Sequence, residues 1–443
     1  MRSHKYLTQS QDPSGRNMIA DHVVIALTVA GLIAALVMLV LLLESIQQQT
    51  KPGELYPSDV TKPALFYIAH AIQIVLLLGA AFVALISTDP RGIEPGYFWR
   101  FGLFMAAAVL MTARGYSVVD LFSTRLVDST GPFPCLMSLL VFIGARRRYW
   151  NVIDRAIVAE AVFLSVIALI ALGSLQSFTR DRVIASLGGT LNALYWPAAW
   201  IALRDYARES VSRHLRFVPI LLYGFMSFFT ETRLNVVMFI ACLLVYAFLQ
   251  YKRMMPQITM WIVSFGLVVW AGLFTAVFLT NTSEFRTLRF VAGAFAARLN
   301  EDTRTGQVRS FFNVVEPSEL MLGRGALATW DWDRQVWRGG TDIGYLTLLF
   351  YGGLPLLLTY IAAHIRPAFT VFWTSSDGCQ LAAAGIVLLW TLRMFSSSYP
   401  GLSLDYYPVV FCVGVCISRE SDGSGREVYR PPREIKHARP LVY

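Results

Sequence analysis

Lysine is almost missing from this chain. Lysine and arginine together number 38 in 443 residues, and only Lys5, Lys51, Lys62, Lys252 and Lys436 are lysine, so 38 − 5 = 33 are arginine. A run of arginines without lysine is therefore close to what composition alone gives. Charge of either sign is also scarce, at 15% of residues, where a water-soluble domain carries about 25%. That shortage excludes an ordinary soluble globular protein. Cysteine is limited to Cys135, Cys242, Cys379, Cys412 and Cys416, all in or beside apolar blocks. They form no disulfide framework and have no ligand-like partners. Cys412 and Cys416 share a helix face, where cysteine is commonly just a small hydrophobe. No P-loop, nucleotide-binding fingerprint or metal-ligand spacing occurs.

What is abundant is apolar sequence. Hydrophobic residues make up 55% of the chain and fall in long blocks that recur to its end. A helix satisfies every backbone group internally, and about 20 helical residues cross the hydrocarbon. The length rule gives about twelve spans, near 22–44, 64–87, 98–113, 132–145, 156–174, 186–203, 217–230, 234–250, 257–280, 342–363, 380–397 and 406–418. The fourth and seventh are short enough to be re-entrant or tilted. The first, from His22 to Leu43, is too long for a signal-peptide core and no small-residue cleavage site follows it, so it reads as a retained anchor. The expected fold is an all-α polytopic integral membrane protein over residues 1–420. One large outer loop covers 282–341, and a polar, disordered tail covers 421–443.

Orientation follows from the basic clusters. Arg2, Lys5 and Arg16 precede the first span, Arg146 to Arg148 follow the fourth, and Arg204, Arg208, Arg213 and Arg216 follow the sixth. Lys252 and Arg253 follow the eighth, and the tail adds Arg426, Arg430, Arg433, Lys436 and Arg439. With twelve spans all of these share one side, which the positive-inside rule makes cytoplasmic. Both termini are then inside. The net charge of +9 tracks span ends, which argues against nucleic acid as a partner. The loop at 282–341 faces outward, to the periplasm in a Gram-negative cell, and long loops translocate largely regardless of charge.

The segment from Ser283 to Tyr360 is the place where chemistry is expected. It carries Arg286, Arg289, Arg298, Arg304, Arg309, Arg324, Arg334 and Arg338. Guanidinium is always charged and grips phosphate as a two-pronged donor. Phe285, Leu288, Ala292, Phe295 and Leu299 recur at helical spacing, fitting either an interfacial helix or one packed on the rest of the loop. Asp331-Trp332-Asp333 matches an Asp-x-Asp metal site only superficially, because no soluble α/β domain surrounds it.

Four features converge on the outer face. Glu231-Thr232-Arg233-Leu234-Asn235 is a charged turn opening the eighth span. Its Arg233 pairs with Glu231, snorkels or serves function. Arg180-Asp181-Arg182 leads to Gly188-Gly189-Thr190-Leu191-Asn192, where the glycines serve helix packing or substrate approach. The loop supplies Arg298, Arg304 and Arg309, then Gly323-Arg324-Gly325. Last, Asp342 heads the tenth span, followed by Tyr345 and Tyr351-Gly352-Gly353. Asp342 is either a helix cap or a general base.

In this order of features, roughly over 180–365, the chain resembles the O-antigen polymerase and ligase superfamily. The resemblance implies a GT-C-like membrane glycosyltransferase, independent of metal and of nucleotide sugar. It implies undecaprenyl-diphosphate-linked glycans as substrates, no cofactor, and a chain-length regulator as a possible partner. In the ligases the last helix often opens with His-Asn. Here the pair is Asp342-Ile343, which favours a repeat-unit polymerase over the ligase. The implied roles are Asp342 as base and Arg182, Arg233, Arg298, Arg304, Arg309, Arg324 and Tyr345 in substrate binding. Trp330, Trp332 and Trp337 stack on sugars or anchor the interface. A lipid-glycan flippase or transporter and a non-catalytic assembly subunit stay open as other classes.

Overall fold

The computed structural model describes residues 15–49, 63–115, 133–173, 180–204, 215–229, 233–254, 303–325, 328, 330–332, 335–337, 343–395 and 407–419. Nearly all of them are helical. The chain runs through α1 (Gly15–Gln49), α2 (Ala64–Ile86) and α3 (Tyr97–Gly115). A broken segment follows, in which Phe133–Leu136, the 3-10 turn Met137–Leu140 and Val141–Gly144 succeed one another. Then come α4 (Trp150–Gly173), α5 (Arg180–Leu203), α6 (Val218–Phe229) and α7 (Arg233–Met254). The loop region holds α8 (Thr303–Val314), α9 (Pro317–Leu322) and a two-stranded ribbon of β1 (Trp330–Trp332) and β2 (Gln335–Trp337). The chain continues with α10 (Gly344–Tyr360), a π turn (Ile361–Ile365), α11 (Arg366–Thr374), α12 (Gly378–Arg393) and α13 (Tyr407–Ile417).

Helical residues occur at each expected span except 257–280, which lies outside the described residues. Among the described residues, two helical stretches are long and apolar enough to cross a membrane, Ala64–Ile86 and Gly344–Thr374. The fourth span is not one helix but the broken segment. The ribbon was not foreseen as strand at all.

Residue choice explains α2. Its buried positions, among them Phe66, Gln73, Ile74, Leu77, Ala80, Ala81 and Ala84, face the other helices. Its exposed positions are equally apolar: Leu65, Ile68, Ile72, Val75, Phe82 and Ile86 form a stripe at steps of three, four and seven residues. Val75 and Ile86 are 69% and 70% exposed. A helix apolar on every face suits an apolar surround, not water.

One contiguous core joins the helices. α1 packs along α2, α4 along α5, and α12 along α13. The broken segment approaches α13 closely because both sides lack a side chain. A methyl on Gly144 would overlap the Phe411 carbonyl, and one on Gly414 would overlap the Val141 carbonyl. Small residues serve such close approaches in membrane bundles.

Polar contacts gather at one end of the bundle. Asp21 accepts from the Tyr149 hydroxyl at 2.6 Å and pairs with Arg148. Arg147 pairs with Asp377 at 2.9 Å, Arg204 with Asp154, and Arg216 donates to the Tyr246 hydroxyl at 2.8 Å. At the same end Glu94 N donates to Ile417 O and Arg419 N to Gly92 O. The joint formed by the loop lies at the opposite end.

Candidate functional site

The described half of the loop is not splayed out. It folds back onto α10, and the sequence dictates how. Pro355 has no N–H, so the carbonyl four residues earlier, on Tyr351, has no helical donor. Gly353 leaves helical geometry, at φ 66° and ψ −167°. The loop takes up the exposed acceptors: Arg324 N donates to Phe350 O at 2.7 Å and Gly325 N to Tyr351 O at 2.9 Å. The approach needs glycine. Gly323 (φ +70°) abuts the Tyr351 carbonyl, and Gly325 (φ +88°) abuts the Arg114–Gly115 backbone of α3. The motifs Gly323-Arg324-Gly325 and Tyr351-Gly352-Gly353 are therefore two halves of one joint.

Side chains lock the joint. The Arg324 guanidinium donates to Glu319 Oε2 at 2.9 Å and to Val314 O at 3.0 Å, and lies over the Phe350 ring at 5.3 Å. Glu319 Oε2 also accepts from Glu316 N at 3.0 Å. The Arg324 hydrogen bond, first of all, holds the Glu319 carboxyl below its ordinary pKa. Arg114 donates to Leu322 O at 2.7 Å. Phe311, fully buried, meets Phe350 at 6.2 Å between ring centroids and ties α8 to α10.

The expected site residues fall as follows. Arg324 sits in the joint, with two of its donor contacts directed at protein acceptors. Tyr345 opens α10; its hydroxyl donates to Thr391 O at 2.9 Å and its ring lies 4.8 Å from Phe395. Tyr345 therefore fastens α10 to the end of α12. Arg304 and Arg309 lie in α8, seven and two residues before Phe311. Arg182 is in the first turn of α5, and Arg233 is the first residue of α7. Arg298 and Asp342 lie outside the described residues. Asp342 directly precedes Ile343, the residue that caps α10. In the ribbon, Trp330 pairs with Trp337 and Trp332 with Gln335. Opposed residues share a face and positions two apart share it too, so the three tryptophan positions occupy one face.

Sequence reasoning missed the polar groups inside the bundle. Arg393, 7% exposed near the end of α12, lies over Trp196 at 5.6 Å. Its neighbour Met394 accepts from Gly344 N at 2.9 Å, which places Arg393 beside the head of α10. Glu160 accepts from the Tyr407 hydroxyl at 3.1 Å, buried between α4 and α13. His364, on the π turn, lies 3.0 Å from Ser138 of the broken segment. The available signal was a charge inside an apolar block, which is a functional-site hypothesis by default.

No protein-family model matches the chain, and no curated protein matches it as a relative.

Proposed function

We propose that the protein is a membrane glycosyltransferase. It polymerises undecaprenyl-diphosphate-linked repeat units on the outer face of a bacterial inner membrane. In this reading about twelve helices span in a GT-C-like arrangement, with both termini cytoplasmic. The carrying observation is the joint that seats the loop on α10 at Phe350 and Tyr351, seven and eight residues beyond Ile343, which Asp342 precedes. It gives an arginine-rich loop a fixed place at the end of the bundle opposite the basic clusters. The sharing of one end by Arg146, Arg147, Arg148, Arg204 and Arg216 fits the positive-inside orientation. Arginines then neutralise the diphosphate leaving group, stabilising charge as it develops. Asp342 takes the proton from the acceptor sugar hydroxyl. The three tryptophan positions on one ribbon face suit stacking on sugar rings.

The test is purified protein in detergent with lipid-linked repeat units. Elongated glycan is expected from the wild type and only single-repeat material from Arg304→Ala and Arg309→Ala, at equal folded amount. Full-length polymer from both variants removes them from the mechanism.

A second reading has specific support. The broken segment, the kink at Gly353, the π turn and the buried Glu160 and Arg393 are features of transporters, whose helices break at mid-membrane. A lipid-glycan flippase would leave glycan length unchanged in detergent and move lipid only between two compartments.

A further inference from the structure

At the end of the bundle opposite the loop, a cleft of about 510 Å³ opens between the last turn of α11, the head of α12 and the end of α13. Its walls include Arg147, Ser375, Ser376, Asp377, Ser418 and Arg419. This volume falls within the roughly 300–1,000 Å³ of small-molecule sites. Asp377, the acidic residue among the lining groups, is engaged inward. One oxygen caps α12 through Cys379 N at 2.8 Å and Gln380 N at 3.0 Å, and the other meets Arg147 at 2.9 Å. Among the described lining residues, two guanidinium groups stand against one carboxylate.

Ser418 is the second, independent observation. It is 6% exposed, and its Oγ has no hydrogen-bond partner among the described residues. Its backbone is fully used: the carbonyl accepts from Gln380 Nε2 at 2.9 Å, and N–H donates to Val415 O at 3.4 Å. Native structures rarely leave a buried hydroxyl unmade. Ser418 lines the same cleft as the two arginines and adds a hydroxyl to their charge. Arginine with a neighbouring hydroxyl is phosphate-binding chemistry.

We propose that this cleft binds a phosphate group, held by Arg419 and the Ser418 hydroxyl with Arg147 adding charge to the same lining. The group is either a lipid headgroup or a soluble phosphate. The site is independent of the glycan reading, since it lies at the other end of the bundle. On the positive-inside orientation it faces the cytoplasm, where anionic headgroups are concentrated.

The test follows thermal unfolding of the full chain in neutral detergent, with added phosphatidylglycerol, phosphatidylcholine or inorganic phosphate. Phosphatidylglycerol is expected to raise Tm in a saturable way, as ligand binding to the native state must, and phosphatidylcholine is not. Arg419→Ala should raise the half-saturating concentration by about tenfold or more, the scale of one charged hydrogen bond. Ser418→Ala is the sharper variant. Without ligand it should unfold at or above the wild-type temperature, because it removes an unsatisfied hydroxyl, yet it should lose most of the ligand-induced shift. A matching shift with inorganic phosphate assigns a soluble ligand; a shift with the lipid alone assigns a headgroup. Equal shifts in wild type, Arg419→Ala and Ser418→Ala, equal response to phosphatidylcholine, or no shift with any probe overturns the site.

Discussion

Replacing Gly353 with alanine should open the joint between the loop and α10. The residue sits at φ 66° and ψ −167°, a region that costs a residue with a side chain roughly 1–3 kcal/mol. Strain is only the first contribution. The added Cβ would stand 2.6 Å from Gly323 N and 2.7 Å from Met321 O. Both are backbone atoms, so no rotamer change relieves the overlap. The loop must withdraw, or α10 must straighten. Either way the bonds from Arg324 N to Phe350 O and from Gly325 N to Tyr351 O are lost, at about 1 kcal/mol each. The sum is roughly 3–5 kcal/mol, a shift of about a hundred- to several-thousand-fold in the joint's closed-to-open ratio. Hydrogen exchange resolved to the amides of Arg324 and Gly325 reads that ratio directly. Gly96→Ala is the control: φ is +75° there, but nothing lies within 4 Å of the added Cβ, so it should show strain alone. If Gly353→Ala leaves both amides as protected as in the wild type, the joint is not held by these two bonds.

Further outcomes can be measured on the same preparations. Glu319 has its pKa lowered chiefly by Arg324, so its contribution is complete above the ordinary carboxylate range, near pH 4.3, and is lost as pH falls through the depressed value. The Tm difference between wild type and Glu319→Gln should therefore be constant at pH 5–7 and vanish in stronger acid; a difference independent of pH refutes the contact. Arg393→Lys separates charge from guanidinium shape. It keeps the buried cation but not the planar fork, so Tm should stay near the wild-type value while glycan elongation falls at least tenfold, and normal elongation would make Arg393 structural.

Much of the helical layout was legible because long apolar blocks leave the backbone few alternatives. The breaks were less so. The block at 132–145 reads as a short span by hydropathy, yet Gly144 faces Gly414 across a backbone contact. That constraint involves a partner some 270 residues away, invisible to a count along the chain. The ribbon was missed because three-residue strands carry almost no periodic signal, although its tryptophans stand at the alternate spacing a strand requires.

The site shows the same division. Gly323-Arg324-Gly325 and Tyr351-Gly352-Gly353 were both singled out, but as separate features with Arg324 directed at substrate. The structure instead turns the guanidinium toward Glu319 and Val314. The connection was nonetheless written locally. A proline at 355 announces that the carbonyl of residue 351 must find a donor outside its helix. A glycine doublet just before the proline announces close backbone approach. A Gly-x-Gly loop can supply both N–H groups and room. Reading such orphaned acceptors and small-residue loops as complementary halves, rather than as independent motifs, would have joined the two stretches before any coordinates. It would also have tied Arg324 to Arg304 and Arg309, whose helix the joint holds in place.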